Sequence, residues 1–115
     1  MIRTYLALLA LTALALPACS GGDDDDDVAA ILALDGTPTA GKTVYDANCA
    51  SCHKPDGSGD STFPSLVTKV PEESDEDIIE VILNGKGAMQ GFRAQLSDQQ
   101  VADLHAYLRE TFTGS

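Results

Sequence analysis

At 115 residues the chain has room for one domain, and 18 acidic against 7 basic side chains give it a formal charge of −11. That balance repels a phosphate backbone, which excludes nucleic acid as a partner and favours basic protein surfaces or solubility. The first element in chain order is an apolar run from Tyr5 to Leu16 behind one positive charge, Arg3. It is shorter than the roughly 20 apolar residues that span a bilayer. It also has no polar stripe, so it suits the hydrophobic region of an export signal better than a helix of the fold.

The run closes in Leu16-Pro17-Ala18-Cys19-Ser20, which resembles the end of a bacterial lipoprotein signal. The resemblance implies acylation of Cys19 and removal of residues 1–18. The implied location is a lipid anchor on the periplasmic or outer face of a bacterial cell-envelope membrane. Next come Gly21-Gly22 and five consecutive aspartates, Asp23 to Asp27. A block of like charge repels itself, so residues 19–36 are expected to be an acidic flexible tether with a short apolar segment, Val28 to Leu34, that docks against the domain in a conformation the sequence does not reveal.

The folded domain is expected over residues 37–115. Thr37-Pro38 offers an N-cap and a first-turn proline to a helix that runs towards Cys49. Pro55 to Val70 is rich in Gly, Ser, Asp and Pro and reads as loop. Asp56, Ser58 and Asp60 are spaced like calcium ligands, but Val67 stands where an EF-hand needs its closing glutamate, so they are turn residues. Ser74 caps a second helix with an apolar face of Ile78, Ile79, Ile82 and Leu83, closed by Asn84-Gly85. Ser97 and Gln100 form a capping box for a third, whose apolar stripe is Val101, Leu104, Tyr107, Leu108 and Phe112. No segment alternates as a strand would.

Chemistry concentrates in Cys49-Ala50-Ser51-Cys52-His53. Cysteines one helical turn apart can form thioethers to the two vinyl groups of a porphyrin, and the histidine that follows offers an imidazole to the iron. A thioredoxin-like redox pair would need a βαβ setting, which is missing. Structural zinc would need a fourth ligand, and His105, the other histidine, lies far down the chain. A plain disulfide leaves His53 without a task. With Met1 lost in the signal, Met89 is the remaining methionine. Its neighbours in Asn84-Gly85-Lys86-Gly87-Ala88-Met89-Gln90-Gly91 are small or polar, a setting for thioether ligation rather than core filling.

From Gly41 to Phe112 the sequence resembles a class I cytochrome c of the short bacterial kind, with Gly41 and Tyr45 ahead of the haem motif and Leu104 and Tyr107 on the last helix. The resemblance implies an all-α fold, three main helices and loops wrapped around one covalent haem c. It implies that Pro64, in Phe63-Pro64-Ser65-Leu66, gives its carbonyl to the far nitrogen of His53. With His53 and Met89 filling both axial positions there is no open site for a substrate, so the expectation is a single-electron carrier and not an enzyme. Its partners would be redox proteins. Two other readings stay open: a haem subunit of a larger oxidoreductase, and a sensor in which a small ligand displaces Met89. Lys54, Lys86 and Arg93 lie beside the haem-binding segments and are expected to form a local cationic rim for docking.

Overall fold

The structure, a computed structural model, describes residues 23–114. The signal over residues 1–18 and the acylation site Cys19 lie outside the described residues. Six helices follow one another: α1 (Asp23–Leu32), α2 (Pro38–Asn48), α3 (Ala50–His53), α4 (Leu66–Glu72), α5 (Asp75–Asn84) and α6 (Asp98–Thr111). Among the described residues there is no strand beyond an isolated pairing of Lys86 with Met89.

Helix α1 corrects one part of the tether expectation, the extended aspartate block. The aspartate block occupies its N-terminal turns, where the positive end of the helix dipole favours acidic side chains. Val28, Ile31 and Leu32 share one face at helical spacing, and Val28 and Ile31 are buried while Leu32 packs against the same core. Ile31 keeps only 1% of its surface, and sealing such a side chain is worth about 1.5–3 kcal/mol. That docking, against α5 and α6, outweighs the mutual repulsion of the aspartates.

The second correction concerns the segment read as loop up to Val70. Its last part is helix α4, a short element that carries Pro71 in its final turn. Seven residues with a proline give too little period to read. Its C-terminal carbonyls are taken by Arg109 of α6, which donates to Val70 O at 2.6 Å and to Glu73 O at 2.6 Å. The remaining turns match expectation: Asp56 Oδ1 accepts from the Ser58 amide at 3.0 Å, and Asp60 Oδ1 from the Thr62 amide at 2.7 Å.

Helices α2 and α6 cross at the centre of the molecule. Gly41 makes the crossing possible, because a Cβ there would overlap the Asp103 carbonyl. Tyr45 is fully buried at this crossing, 5.4 Å from Tyr107 and 5.8 Å from Phe112 between ring centroids. Thr37 sits at the N-cap of α2 with extended backbone, but its side chain makes no cap hydrogen bond. Its amide donates instead to Asp103 Oδ1 at 2.8 Å, tying the start of α2 to α6. The expected caps of α5 and α6 are present: Ser74 Oγ accepts from the Asp77 amide at 3.1 Å, and Ser97 and Gln100 form a reciprocal capping box.

Candidate haem-attachment site

The attachment motif occupies a single turn at the end of α2. The Cys49 amide donates to Tyr45 O at 2.8 Å, so the chain is still helical as it enters the motif. Cys49 O then accepts from the amides of Cys52 at 3.2 Å and His53 at 3.0 Å, closing α3. Cys49 is half-buried, Cys52 is exposed, and both are free thiols. Burial, and next the neighbouring Cys52, push the Cys49 thiol up to about 11, so it is protonated at neutral pH.

His53 is buried at 8% exposure. Its Nδ1 lies 3.0 Å from Pro64 O, the carbonyl that the family resemblance singled out. A ring nitrogen facing a carbonyl carries the proton, which leaves Nε2 with its lone pair. Nε2 has no hydrogen-bond partner among the described residues, and no unpartnered side-chain nitrogen or oxygen is sealed in the core there. Phe63 stands edge-on to the imidazole, 6.5 Å away between ring centroids.

Lys54 follows with φ 68 and ψ 157, and its carbonyl accepts from the Tyr45 hydroxyl at 2.5 Å. This turns the chain sharply away from the motif into the loop that carries Pro64. The amide of Leu66, at the start of α4, donates to Gly57 O at 2.7 Å and sets the return of that loop.

Met89 lies on a tight hairpin after α5. Lys86 N donates to Met89 O at 3.1 Å and Met89 N to Lys86 O at 2.9 Å. Gly87 has φ 58 at the first central position of this turn, where a residue without Cβ is favoured. The hairpin is fastened to the end of α5, since Phe92 N donates to Ile82 O at 2.8 Å and Arg93 N to Leu83 O at 3.2 Å. Met89 and the attachment motif share no hydrogen bond. What they share is the core, against which Cys49, Ala50, Leu66, Val67 and Met89 all pack while remaining only partly covered.

That margin suits a flat apolar macrocycle, and two thiols one turn apart with a carbonyl-anchored imidazole suit its attachment and its iron. The competing zinc reading finds no support in the geometry, because no three His, Cys, Asp or Glu side chains converge among the described residues. His105 is engaged elsewhere, with Nε2 at 2.9 Å from Asp75 Oδ1. The cationic rim is corrected in part. Lys54 and Lys86 are exposed, but Arg93 forms an ion pair with Asp27 of α1 and donates to Asn84 Oδ1 at 3.2 Å. Sequence reading missed the Tyr45 hydroxyl, Asp103 and Arg109. Only Arg109 left a signal, as the basic residue in the last turn of α6.

Comparison with known proteins bears on the same segment. The family model described as cytochrome C oxidase, cbb3-type, subunit III matches residues 36–108, more than half of the chain. Cytochrome c6 of Leptolyngbya boryana is 37% identical, over 60% of this chain and 86% of its own length. Cytochrome c-555 of Methylococcus capsulatus is 30% identical, over 97% of this chain and 84% of its own. The cytochrome c subunit of the quinone alcohol dehydrogenase of Gluconobacter oxydans is 34% identical over 77% of this chain, which spans 22% of that subunit. Among solved structures, cytochrome c6 of the diatom Phaeodactylum tricornutum superposes with a TM-score of 0.56 at 30% identity, covering 64% of this chain and 91% of that one. The motif turn, its buried histidine and these matches lead to one conclusion: the chain belongs to the cytochrome c family, as a small class I c-type cytochrome of all-α fold with one covalently bound haem c.

Proposed function

We propose that this cytochrome carries single electrons with His53 and Met89 as the axial ligands of its iron. Haem c supplies the one-electron iron couple; the chain holds it, orients the ligands and keeps other molecules off the metal. Cys49 and Cys52 would hold it covalently, so it stays through every redox cycle. His53 offers Nε2, its tautomer set by the hydrogen bond from Nδ1 to Pro64 O, which also strengthens the imidazole as a donor. Met89 brings a soft thioether, and the pairing of methionine with histidine raises the potential. The observation that carries this reading is the orientation of His53: a buried imidazole with one nitrogen committed to a carbonyl and the other left for the metal.

Redox titration tests it. Met89→Ala should keep the haem bound, lower the midpoint potential and let the reduced protein bind carbon monoxide, which the wild type should refuse. An unchanged potential, or carbon monoxide binding by the wild type, would contradict the assignment. The second outcome favours the ligand-binding sensor.

We infer further that the protein is exported and held at a membrane through acylated Cys19, with redox proteins of that compartment as its donor and acceptor. Support comes from the apolar run Tyr5 to Leu16 and from the Leu16-Pro17-Ala18-Cys19 sequence that closes it. Cys19→Ser should release a soluble haem protein, and a wild type that already fractionates as soluble would contradict the anchor. The match to a dehydrogenase's cytochrome c subunit favours one second reading, a relay within a larger oxidoreductase. Co-purification of a stoichiometric partner would support it.

A further inference from the structure

We propose that α1 is a brace for the methionine hairpin, and that Arg93 is the positioning residue through which it acts. The proposal rests on Met89 ligation for its redox consequence but not for its structural test. The hairpin from Lys86 to Met89 holds itself with only a reciprocal pair of backbone hydrogen bonds, and Lys86, Gly87, Ala88 and Gln90 are exposed. Its restraint comes from the segment just after it.

Phe92 is buried at 6% exposure, its amide on Ile82 O and the Arg93 amide on Leu83 O, so residues 92 and 93 are pinned to the last turn of α5. The Arg93 side chain then reaches towards both α5 and α1. It donates to Asn84 Oδ1 at 3.2 Å, at the end of α5, and it pairs with Asp27 on α1. Asp27 is itself fixed in place, because the next residue, Val28, is buried at 7% exposure and Ile31, one turn on, at 1%. Asp27, Arg93 and Asn84 therefore join three segments: the helix before the domain, the return of the methionine hairpin and the end of the helix from which the hairpin springs.

An exposed ion pair alone contributes little. This one is backed by two buried side chains on one partner and two backbone hydrogen bonds on the other, so lifting residues 92 and 93, the return of the hairpin, from α5 would also strain the pair. The consequence is a methionine less easily displaced from the iron than its glycine-rich hairpin alone would allow. It also gives a use to the end of the aspartate block that a solvated tether would not.

Amide hydrogen exchange on the oxidised holoprotein tests the brace whether or not Met89 ligates. Arg93→Gln and Asp27→Asn should each speed exchange of the Phe92 and Arg93 position amides by about two- to five-fold, with the Val101 amide of α6 unchanged. The double variant should add little to either single one, and Arg93→Lys should restore part of the protection. In parallel, Arg93→Gln should bind imidazole at the iron tighter by a similar factor. Exchange in Arg93→Gln equal to wild type would overturn the proposal. Faster exchange in Arg93→Gln but not in Asp27→Asn would overturn the part given to α1, and uniform acceleration that includes Val101 would show a merely structural role. Altered exchange with no change in imidazole affinity would keep the brace and count against Met89 as ligand.

Discussion

Lys54 is the one described residue other than glycine with a left-handed backbone, and its ψ of 157 places it in a region that almost only glycine occupies. Strain of this kind costs about 1–3 kcal/mol and persists only where the surroundings hold it. Here the Tyr45 hydroxyl holds the Lys54 carbonyl at 2.5 Å, so the turn away from His53 is fixed by a residue one helix back. Lys54→Gly should relieve the strain and raise stability by about 1 kcal/mol in denaturant unfolding. A variant less stable than wild type would mean that the conformation carries no strain. At this scale the attachment motif was legible, because Cys49, Cys52 and His53 are recognised by their spacing along one turn. Pro64 was legible only through the family resemblance. Asp103 and the Tyr45 hydroxyl were not legible, because each acts on a backbone group of another segment that nothing in the local sequence identifies.

Among the elements, the three long helices of the domain could be read from caps and apolar period, and α1 and α4 could not. The aspartates of α1 obscured a short apolar face whose partners lie on α5 and α6, and docking rather than propensity makes it a helix. Helix α4 depends on Arg109, which also donates through Nε to Asp75 Oδ1 at 2.7 Å beside His105. This knot fastens α6 to the junction between α4 and α5. Arg109 first, then His105, hold the Asp75 carboxyl below the usual carboxylate range. A carboxylate depressed in the folded state stabilises the fold above its unfolded pKa of about 3.9, and that contribution disappears as pH falls through the lower folded value. Asp75→Asn should therefore melt at a lower temperature than wild type at neutral pH, with the gap closing below about pH 4. A gap that is constant down to strongly acid pH would show that Asp75 does not act as a charge.

In the whole molecule, the described core is continuous from Val28 on α1 to Phe112 after α6, yet Cys49, Ala50, Leu66, Val67 and Met89 are only partly covered by the chain itself. They come from the attachment turn, from α4 and from the methionine hairpin, and under the proposed ligation the haem would add to the core beside them. A domain of this size has little stability to spare. Cys49→Ala/Cys52→Ala, made without haem, should lose most of its helical circular dichroism at 25 °C or melt far below the holoprotein. Matching melts would mean that the polypeptide core suffices alone. The small and polar neighbours of Met89 in the sequence suggested the ligand role proposed for it, but nothing there pointed to the contacts that hold its hairpin. Arg93 read as a docking cation, and the partner it finds in the fold, Asp27, lies in a segment read as tether.

If His53 and Met89 share the iron of a one-electron carrier, as proposed, the near-infrared absorption of the oxidised protein reports the iron–sulfur bond. The wild type should show a weak sulfur-to-iron charge-transfer band that disappears in Met89→Ala while the covalent haem remains. A wild type without the band, or a band that survives the substitution, would contradict it.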